Sequence, residues 1–360
     1  MRRSSVRLYG YFLRLGATGF GGPIALVGRM EKDLVQERSW FTSEEFAEGL
    51  ALAQLAPGPL AAQLAIYLGW LKQGAIGASL AALAFIAPSF VMVLALSALY
   101  VRFGGMAWIR GCFYGIGAAV IGLIARSAWA LTRRAIKADA LLWVLWAINF
   151  LVVALTSSEV VWVFVMSGVV ALLARRARRL QATAASVPAL LQLFGFFAKA
   201  SVVVFGSGLA IVPFLYGGVV TGHRWLTESQ FLDAIAVSMI TPGPVVITVA
   251  FIGYLVAGST GAFAAAAGVF LPVWLIVVLA APHYRRLTGS AGVRAFVGGV
   301  TAAAVGGLCG AVIVLARRSI VDPATILIAI AALGLPMLVR RIPEPLIIAV
   351  AGMVGVLIAG

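Results

Sequence analysis

Long apolar runs, separated by short polar stretches, are the dominant pattern along the 360 residues of this chain. Residues 74–101 and 261–281 contain no charged side chain. An α-helix rises about 1.5 Å per residue, so runs of this length are sufficient to cross the roughly 30 Å hydrocarbon core of a bilayer. The pattern predicts an all-α polytopic membrane protein with about ten to twelve transmembrane segments, some of which are broken helices.

The order of the predicted elements is the same in the two halves of the chain. Each half begins with a glycine-rich segment and a polar stretch, followed by an apolar helix that Pro-Gly-Pro interrupts. A long apolar helix with a central proline, a helix with an arginine near its start and two short apolar segments complete the half. The predicted segments are 8–27, 28–46, 47–71, 74–101, 106–131, 139–156 and 159–174 in the first half, and 190–216, 217–230, 231–257, 261–281, 294–316, 323–339 and 343–360 in the second.

The two halves are also similar residue by residue. Residues 15–59 align with residues 200–244 without a gap, and both copies end in Pro-Gly-Pro. We predict two homologous repeats, residues 1–180 and 185–360, joined by a basic linker. The positions of the basic clusters favour a second half inverted in the membrane relative to the first, because short cytoplasmic loops carry an excess of Lys and Arg.

Composition narrows the function classes. Hydrophobic residues make up 62% of the chain and charged residues only 11%, whereas soluble domains have about 25% charged residues. The net charge of +15 comes from short basic clusters between apolar runs, so we expect contact with the lipid bilayer and no nucleic-acid partner. Two cysteines, two histidines and no phosphate-binding loop motif predict no metal, no cofactor, no ATP and no enzymatic activity.

The interrupted segments are the first candidates for chemistry. Interrupted helices in matching positions of two repeats point to a transporter's binding site, and a helix that restarts after a break directs its partially positive end towards an anion. Glycine lets the backbone approach a ligand closely. The alternative is a proline kink with close glycine packing between helices. The anion-binding candidates are Phe20, Gly21, Gly22, Pro57, Gly58, Pro59, Phe205, Gly206, Ser207, Thr241, Pro242, Gly243 and Pro244.

Three pairs of charged residues keep their sign in both repeats. A charge within the bilayer is costly and normally faces the bundle or an aqueous cavity. Arg14 and Lys199, which align, precede the glycine-rich breaks and are predicted to neutralise an anion. Glu48 and Asp233 are predicted to carry a proton or to pair with those two cations. Structural ion pairs and snorkelling remain the alternatives, and snorkelling is the preferred interpretation for the third pair, Arg110 and Arg294.

Several of these motifs together resemble the signature of the chromate ion transporter family, in its long two-domain form. The stretches that carry the resemblance are "FGGPIALVGRMEKDLV…RSWFTSEEFAEGLALAQLAPGP" and "VFGSGLAIVPFL…HRWLTESQFLDAIAVSMITPGP". The second copy departs from the first where Gly22 and Pro23 are replaced by Ser207 and Gly208. The resemblance covers nearly the whole chain.

The resemblance implies export of chromate from the bacterial cytoplasm across the plasma (inner) membrane. The repeats, the broken helices and the absence of an ATP-binding motif favour a secondary active mechanism. Chromate resistance would follow, with sulfate as a competing analogue and oppositely oriented halves. A sulfate or other oxyanion transporter or exchanger, and an anion channel, are the alternative functions. Whether two copies of the chain form a homodimer is left open.

Overall fold

The computed structural model describes residues 2–20, 22–103, 106–136, 139–156, 166–167, 169–170, 189–203, 211–283, 290–338 and 342–359. Within these residues the regular structure is helical. The α-helices are α1 (Arg2–Thr18), α2 (Gly22–Glu31), α3 (Ser43–Leu55), α4 (Leu60–Phe103), α5 (Ala107–Ile136), α6 (Ala140–Thr156), α7 (Ala189–Val203), α8 (Val212–Leu215), α9 (Glu228–Ile240), α10 (Thr248–Ala280), α11 (Ala291–Ser319), α12 (Pro323–Leu338) and α13 (Glu344–Ala359). Six- and seven-residue π-helical turns, Lys32–Glu37 and Tyr216–Gly222, follow α2 and α8.

Four segments of the described chain are helical, long and apolar enough to cross a membrane: Leu60–Phe103, Ala107–Arg133, Val245–His283 and Ala291–Arg317. Large apolar side chains on several helices point outwards, among them Leu83, Leu155, Leu327 and Leu357. Outward apolar side chains on so many helices suit hydrocarbon rather than water. The prediction of an all-α, multi-pass membrane protein is confirmed.

Two of these long helices fold back on themselves at matching glycines. In α4 the backbone leaves helical geometry at Gln73 (φ −146°, ψ 29°) and Gly74 (φ 57°, ψ −144°). In α10 the same break occurs at Ala257 (φ −148°, ψ 33°) and Gly258 (φ 60°, ψ −151°). A positive φ suits glycine, which lacks a Cβ. The near-identical angles show that the two halves repeat in structure as well as in sequence.

The first Pro-Gly-Pro lies at the tip of a helical hairpin. The ammonium group of Lys72 donates a hydrogen bond to the carbonyl of Trp40 (2.7 Å), so the chain leaves the hairpin where it entered. Halfway along, Gly49 of α3 packs against the ring of Tyr67. The broken helix predicted over residues 47–71 therefore takes the form of a hairpin, with α3 and the start of α4 as its two arms. Gly58, with a φ of 128°, turns the chain back instead of kinking a helix that continues across the membrane.

A second hairpin precedes it in the first half. A Cβ added to Gly19, which follows the end of α1, would lie 2.5 Å from a methyl group of Leu26 on α2, and the guanidinium of Arg38 lies 5.1 Å from the ring centre of Tyr11. Residues near the end of α1 thus lie beside the start of α2, whereas residues earlier in α1 lie beside residues that follow α2. The two segments are therefore antiparallel. The glycine-rich stretch predicted as an interruption is the tip of this hairpin.

The hairpins of the two halves approach the centre from opposite ends of α4. The first hairpin ends at Lys72. The turn at Gly74 joins it to the beginning of the second part of α4, which runs on to Phe103. At the other end, Tyr100 packs against Phe251 of α10, with ring centres 5.3 Å apart. Phe251 belongs to the second half's hairpin, formed by α9 and the start of α10. This arrangement is the one expected of a second half that is inverted relative to the first.

Helices of one half pack directly on helices of the other. Gly122 of α5 lies against the backbone of α12 at Ala329, and the matching Gly306 of α11 lies against the backbone of α6 at Trp146. Small residues permit such close approach, which stabilises helix pairs in lipid. The alternative of structural glycine packing therefore applies to these positions. The predicted boundaries at residues 180 and 185 lie outside the described residues.

Candidate functional site

The described residues include three hairpin tips, and two of them meet. The N–H of Gly243, in the second Pro-Gly-Pro tip (residues 241–244), donates a hydrogen bond to the carbonyl of Gly19 (2.8 Å). Ser89 lies beside them and donates to the carbonyl of Gly16 (3.3 Å). Ser89 is near the middle of the stretch of α4 from Gly74 to Phe103. The contact between the halves therefore lies at mid-depth in the bundle.

The first Pro-Gly-Pro tip (residues 56–59) packs in a matching position against the other half. An added Cβ at Gly58 would lie 2.6 Å from a methyl group of Val273, the residue that follows Pro272 in α10. Ser89 likewise follows Pro88 in α4. Each Pro-Gly-Pro tip thus contacts the proline-containing helix of the opposite half, and the glycine and second proline of both tips are buried.

At the first tip the carbonyl groups are satisfied by a side chain. The amide nitrogen of Gln63 donates hydrogen bonds to the carbonyls of Ala56 (3.0 Å) and Pro57 (2.6 Å). Helix α4 begins directly after Pro59, and the N–H groups of its first turn have no acceptor within the helix. The tip therefore combines two hydrogen-bonded carbonyl groups with a helix N-terminus, and a helix N-terminus attracts an anion.

The second tip has different local bonding. The hydroxyl of Thr241 donates to the carbonyl of Val237 (2.6 Å), which satisfies the end of α9. A 3-10 turn, Val245–Ile247, separates Pro244 from α10. Because Gly243 already binds Gly19, this tip directs fewer free backbone donors towards a ligand than the first.

The remaining members of the predicted anion site are only partly described. Phe20 is 42% exposed at the glycine-rich tip, and α2 begins at Gly22. Gly21, Phe205, Gly206 and Ser207 lie outside the described residues. The structure thus brings Pro242–Pro244 next to Gly19 of the glycine-rich tip, and it places Pro57–Pro59 against α10 of the opposite half.

Arg14 and Lys199 lie on the exposed faces of α1 and α7. On α1 the opposite face, with Leu8, Phe12 and Leu15, is buried against the bundle. Among the described residues, no ion pair joins either cation to Glu48 or Asp233. The predicted ion pairing of the aligned charges is therefore not formed in this structure.

Both carboxylates instead accept hydrogen bonds from tyrosines. Tyr100 donates to Asp233 (2.6 Å), which joins α4 of the first half to α9 of the second. Tyr67 approaches Glu48 at 3.4 Å within one hairpin. Sequence analysis missed both tyrosines, because each lies in a long apolar run where no polar neighbour marks it. Asp233 thus has the shorter hydrogen bond and the partner from the opposite half.

A polar cavity of about 790 Å³ opens beside Asp233. Its lining includes Arg110, for which we predicted only an anchoring role, together with Tyr114 and Ser229. The two charged side chains that line it besides Arg110 are Asp233 and Glu228. The cavity extends along α9 from Thr227 and Glu228 at the start of the helix to Asp233.

Other charged groups have structural partners. Arg126, which aligns with Gly310 in the second half, forms an ion pair with Glu344 at the start of α13 (3.7 Å). Asp322 caps α12 by accepting a hydrogen bond from the N–H of Thr325 (2.9 Å). A hydrogen bond from Tyr114 and those from Thr325 hold the pKa of the Asp322 carboxyl below its usual range. These contacts stabilise the outer helices.

Comparison with known proteins gives a consistent result. The family model described as "Chromate transporter" matches residues 6–172 and 191–356. The chain is 53% identical to the chromate transport protein of Cupriavidus metallidurans, over 96% of this chain and 91% of that protein. It is 49% identical to a probable chromate transport protein of Synechococcus elongatus, over 96% and 94%. The chromate transport protein of Pseudomonas aeruginosa is 31% identical, over 98% and 92%. No solved structure matches this chain.

Proposed function

The chain belongs to the chromate transporter family, and on that premise we propose that it is a secondary active transporter of chromate. Export across the bacterial inner membrane, with chromate resistance as the consequence, is the direction that we propose. The observation that supports this mechanism most strongly is the meeting of oppositely oriented hairpin tips at mid-depth. Inverted repeats with a site at their interface give alternating access when one repeat rocks against the other.

The proposed anion site lies at the central tips. Chromate is a tetrahedral dianion, and the first turn of α4 after Pro59 supplies N–H donors in a buried region where electrostatic attraction is strong. The glycine-rich tip, including Phe20, Gly21 and Gly22, and its counterpart at Phe205, Gly206 and Ser207 would complete the wall. The second tip, Thr241 to Pro244, would close the site from the opposite side of the membrane.

Arg14 and Lys199 are proposed to supply positive charge to the anion when the hairpins move. Arg14 is exposed on α1, whose end leads into the glycine-rich tip at Gly19, and Lys199 is exposed at the aligned position on α7. A rocking movement of a hairpin would change which solution these cations face. Their charge would then attract chromate to the tips without holding it permanently, as transport requires.

Asp233 is the stronger candidate for proton coupling, and Glu48 the weaker. The Asp233 carboxylate lines the polar cavity and accepts a hydrogen bond from the opposite half, so its protonation would change a contact between the halves. Coupling of this kind requires a group whose charge state changes the relative stability of two conformations of the protein. Glu48 accepts a longer hydrogen bond, 3.4 Å, from Tyr67 of its own hairpin.

Uptake of labelled chromate into inverted membrane vesicles tests the cation assignment. We expect Arg14→Ala or Lys199→Ala to lower the initial rate at least tenfold at unchanged expression, in line with the loss of one well-placed charge. Arg7→Ala is the matched control, because Arg7 is another exposed arginine on α1. Wild-type rates in both variants would refute the cation assignment.

Two measurements separate chromate transport from the alternative functions. Competition among chromate, sulfate, molybdate and selenate in proteoliposomes distinguishes a chromate transporter from a sulfate transporter or exchanger. Electrical recording distinguishes a transporter from an anion channel, which would show large unitary currents. The Gly243–Gly19 hydrogen bond joins the tips at the centre, which favours a transporter over an open pore.

Location and assembly complete the proposal. Membrane fractionation of a bacterial host tests the proposed inner-membrane location. Cross-linking in the membrane tests whether a homodimer forms.

A further inference from the structure

A fully buried glutamine stands at the first Pro-Gly-Pro tip. The side chain of Gln63, on the first turn of α4, is 0% exposed. Its nitrogen lies 3.0 Å from the position that a Cβ would occupy on Gly58. Gln63 is therefore part of the tip itself, within the region where we propose that the anion binds.

The side-chain amide of Gln63 uses its nitrogen, but not its oxygen, in hydrogen bonds among the described residues. Its two N–H donors are used by the carbonyls of Ala56 and Pro57. Its oxygen, Oε1, has no hydrogen-bond partner among the described residues. Interchanging O and N would place the oxygen against two carbonyls, which cannot donate, so the bonding pattern fixes the orientation.

A buried acceptor without a donor is costly, and it therefore indicates what the site is built to receive. A fully ionised tetrahedral oxyanion has no hydrogen to donate, and its charge is repelled by an amide oxygen. A monoprotonated oxyanion carries one hydroxyl group and can donate to that oxygen, while its remaining oxygens accept from backbone N–H groups. Gln63 thus distinguishes the two protonation states.

This distinction separates chromate from sulfate. Hydrogen chromate is a much weaker acid than hydrogen sulfate, so a substantial share of chromate keeps one proton near neutral pH whereas sulfate keeps none. Resting on the transport function proposed above, we propose that Gln63 Oε1 accepts a hydrogen bond from the hydroxyl of hydrogen chromate and thereby selects it against sulfate. In the second repeat, the residues that align with Gln63 are Ile247 or Thr248, and neither has a side-chain amide. The selection is therefore made at the first tip.

Few other titratable groups are near enough to produce the same pH dependence. On the elements that pack around the tip, Tyr67 and Glu48 lie on α4 and α3, and Arg14 lies on α1. Helix α10, whose Val273 covers Gly58, contains only Tyr254 among its titratable side chains. The other carboxylates of the two hairpins are Glu44 and Glu45 at the start of α3, and Glu228 and Asp233 on α9. From the other half, α11 carries Arg294 next to Val293, which packs in one cluster with Leu55 at the end of α3.

The test measures selectivity as a function of pH in proteoliposomes with equal pH on both sides. The KM for labelled chromate, at total concentrations too low for dichromate to form, is compared with the inhibition constants of sulfate and selenate. Sulfate and selenate stay fully ionised from pH 6 to pH 8.5, a range we choose to span neutrality. Proton coupling through the protein affects all three anions together, so the ratio of each inhibition constant to the chromate KM isolates recognition of the substrate's hydroxyl.

We expect this ratio in the wild type to rise at least tenfold from the alkaline to the acidic end of the range, following the share of hydrogen chromate. Gln63→Met, which keeps the size of the side chain, should lose most of that rise. Gln54→Met on the exposed face of α3 is the matched control and should keep it. Asp233→Asn and Glu48→Gln should also keep the ratio, even where they change the rate.

The wild-type measurement stands without the variant, should Gln63→Met fail to fold. A ratio that does not change with pH in the wild type would overturn the proposal while leaving chromate transport intact. Retention of the full pH dependence by a folded Gln63→Met protein would also overturn it. Absence of any chromate transport would instead refute the proposed function.

Discussion

The two Pro-Gly-Pro tips have the same backbone motif and the same depth but different surroundings. In both, the central glycine has a positive φ, 128° at Gly58 and 101° at Gly243. The first tip has its carbonyls bound by Gln63 and continues directly into a helix, whereas the second is bound to Gly19 across the centre. The backbone geometry of the tip is thus the same in the two repeats, while its hydrogen-bond partners differ. On our proposal, the first tip holds the anion and the second closes against it.

The largest expected effect comes from filling either tip. Gly58→Ala and Gly243→Ala each place a Cβ on a left-handed residue, which costs about 1–2 kcal/mol, and each adds a clash with Val273 or Ser89 of the opposite half. We expect both variants to lose more than nine-tenths of chromate transport in vesicles. Gly28→Ala, on α2 with open space around it, is the control and should transport normally. Normal transport by both tip variants would contradict the central position of the tips.

The next effect separates the two carboxylates. Asp233→Asn should lower the number of protons moved per chromate to the one that hydrogen chromate itself carries, because the carboxylate in the cavity is removed, whereas chromate exchange at equal concentrations should remain. A pH-sensitive dye inside proteoliposomes measures the proton movement.

Glu48→Gln is the matched variant of the first half and should keep that coupling. Tyr100→Phe should weaken coupling more than Tyr67→Phe, because the Tyr100 hydroxyl joins the two halves at 2.6 Å. Equal loss of coupling in both carboxylate variants would show that the halves act alike.

A smaller effect should be the same in both halves. Gly74→Ala and Gly258→Ala force a Cβ onto nearly identical backbone angles, and neither position has neighbouring atoms within 4 Å of the added methyl. We expect each to destabilise the protein by about 1–2 kcal/mol through backbone strain alone. Thermal unfolding in detergent should give midpoints that agree with each other. A large difference would contradict the structural equivalence of the two turns.

The smallest effect concerns the starts of the hairpins. Thr42 and Thr227 cap α3 and α9, each with a capping box completed by Glu45 or Gln230. Thr42→Ala and Thr227→Ala should each cost about 1 kcal/mol of stability and leave the KM for chromate unchanged. A changed KM in either variant would indicate that the cap lies closer to the anion than the hairpin geometry allows.

Sequence alone predicted the duplication, the helical membrane fold and the two breaks, because these depend on local signals such as apolar length, proline and glycine. It did not predict that the chain turns back at Gly58, since a broken helix and a hairpin have the same residue pattern. The turn becomes evident only from distant contacts such as Lys72 with Trp40. The same limit applies to the site, where Tyr100 reaches Asp233 through packing of the two halves.

The most direct test of the account is the side from which each hairpin enters the membrane. Ser43 and Ser229 are exposed at the starts of α3 and α9, and Cys112 and Cys309 are free cysteines that alanine can replace. In that cysteine-free background, Ser43→Cys and Ser229→Cys are labelled with a membrane-impermeant maleimide in intact cells and in inverted vesicles. The account predicts that one position reacts only in cells and the other only in inverted vesicles. Reaction of both positions from the same side would contradict it.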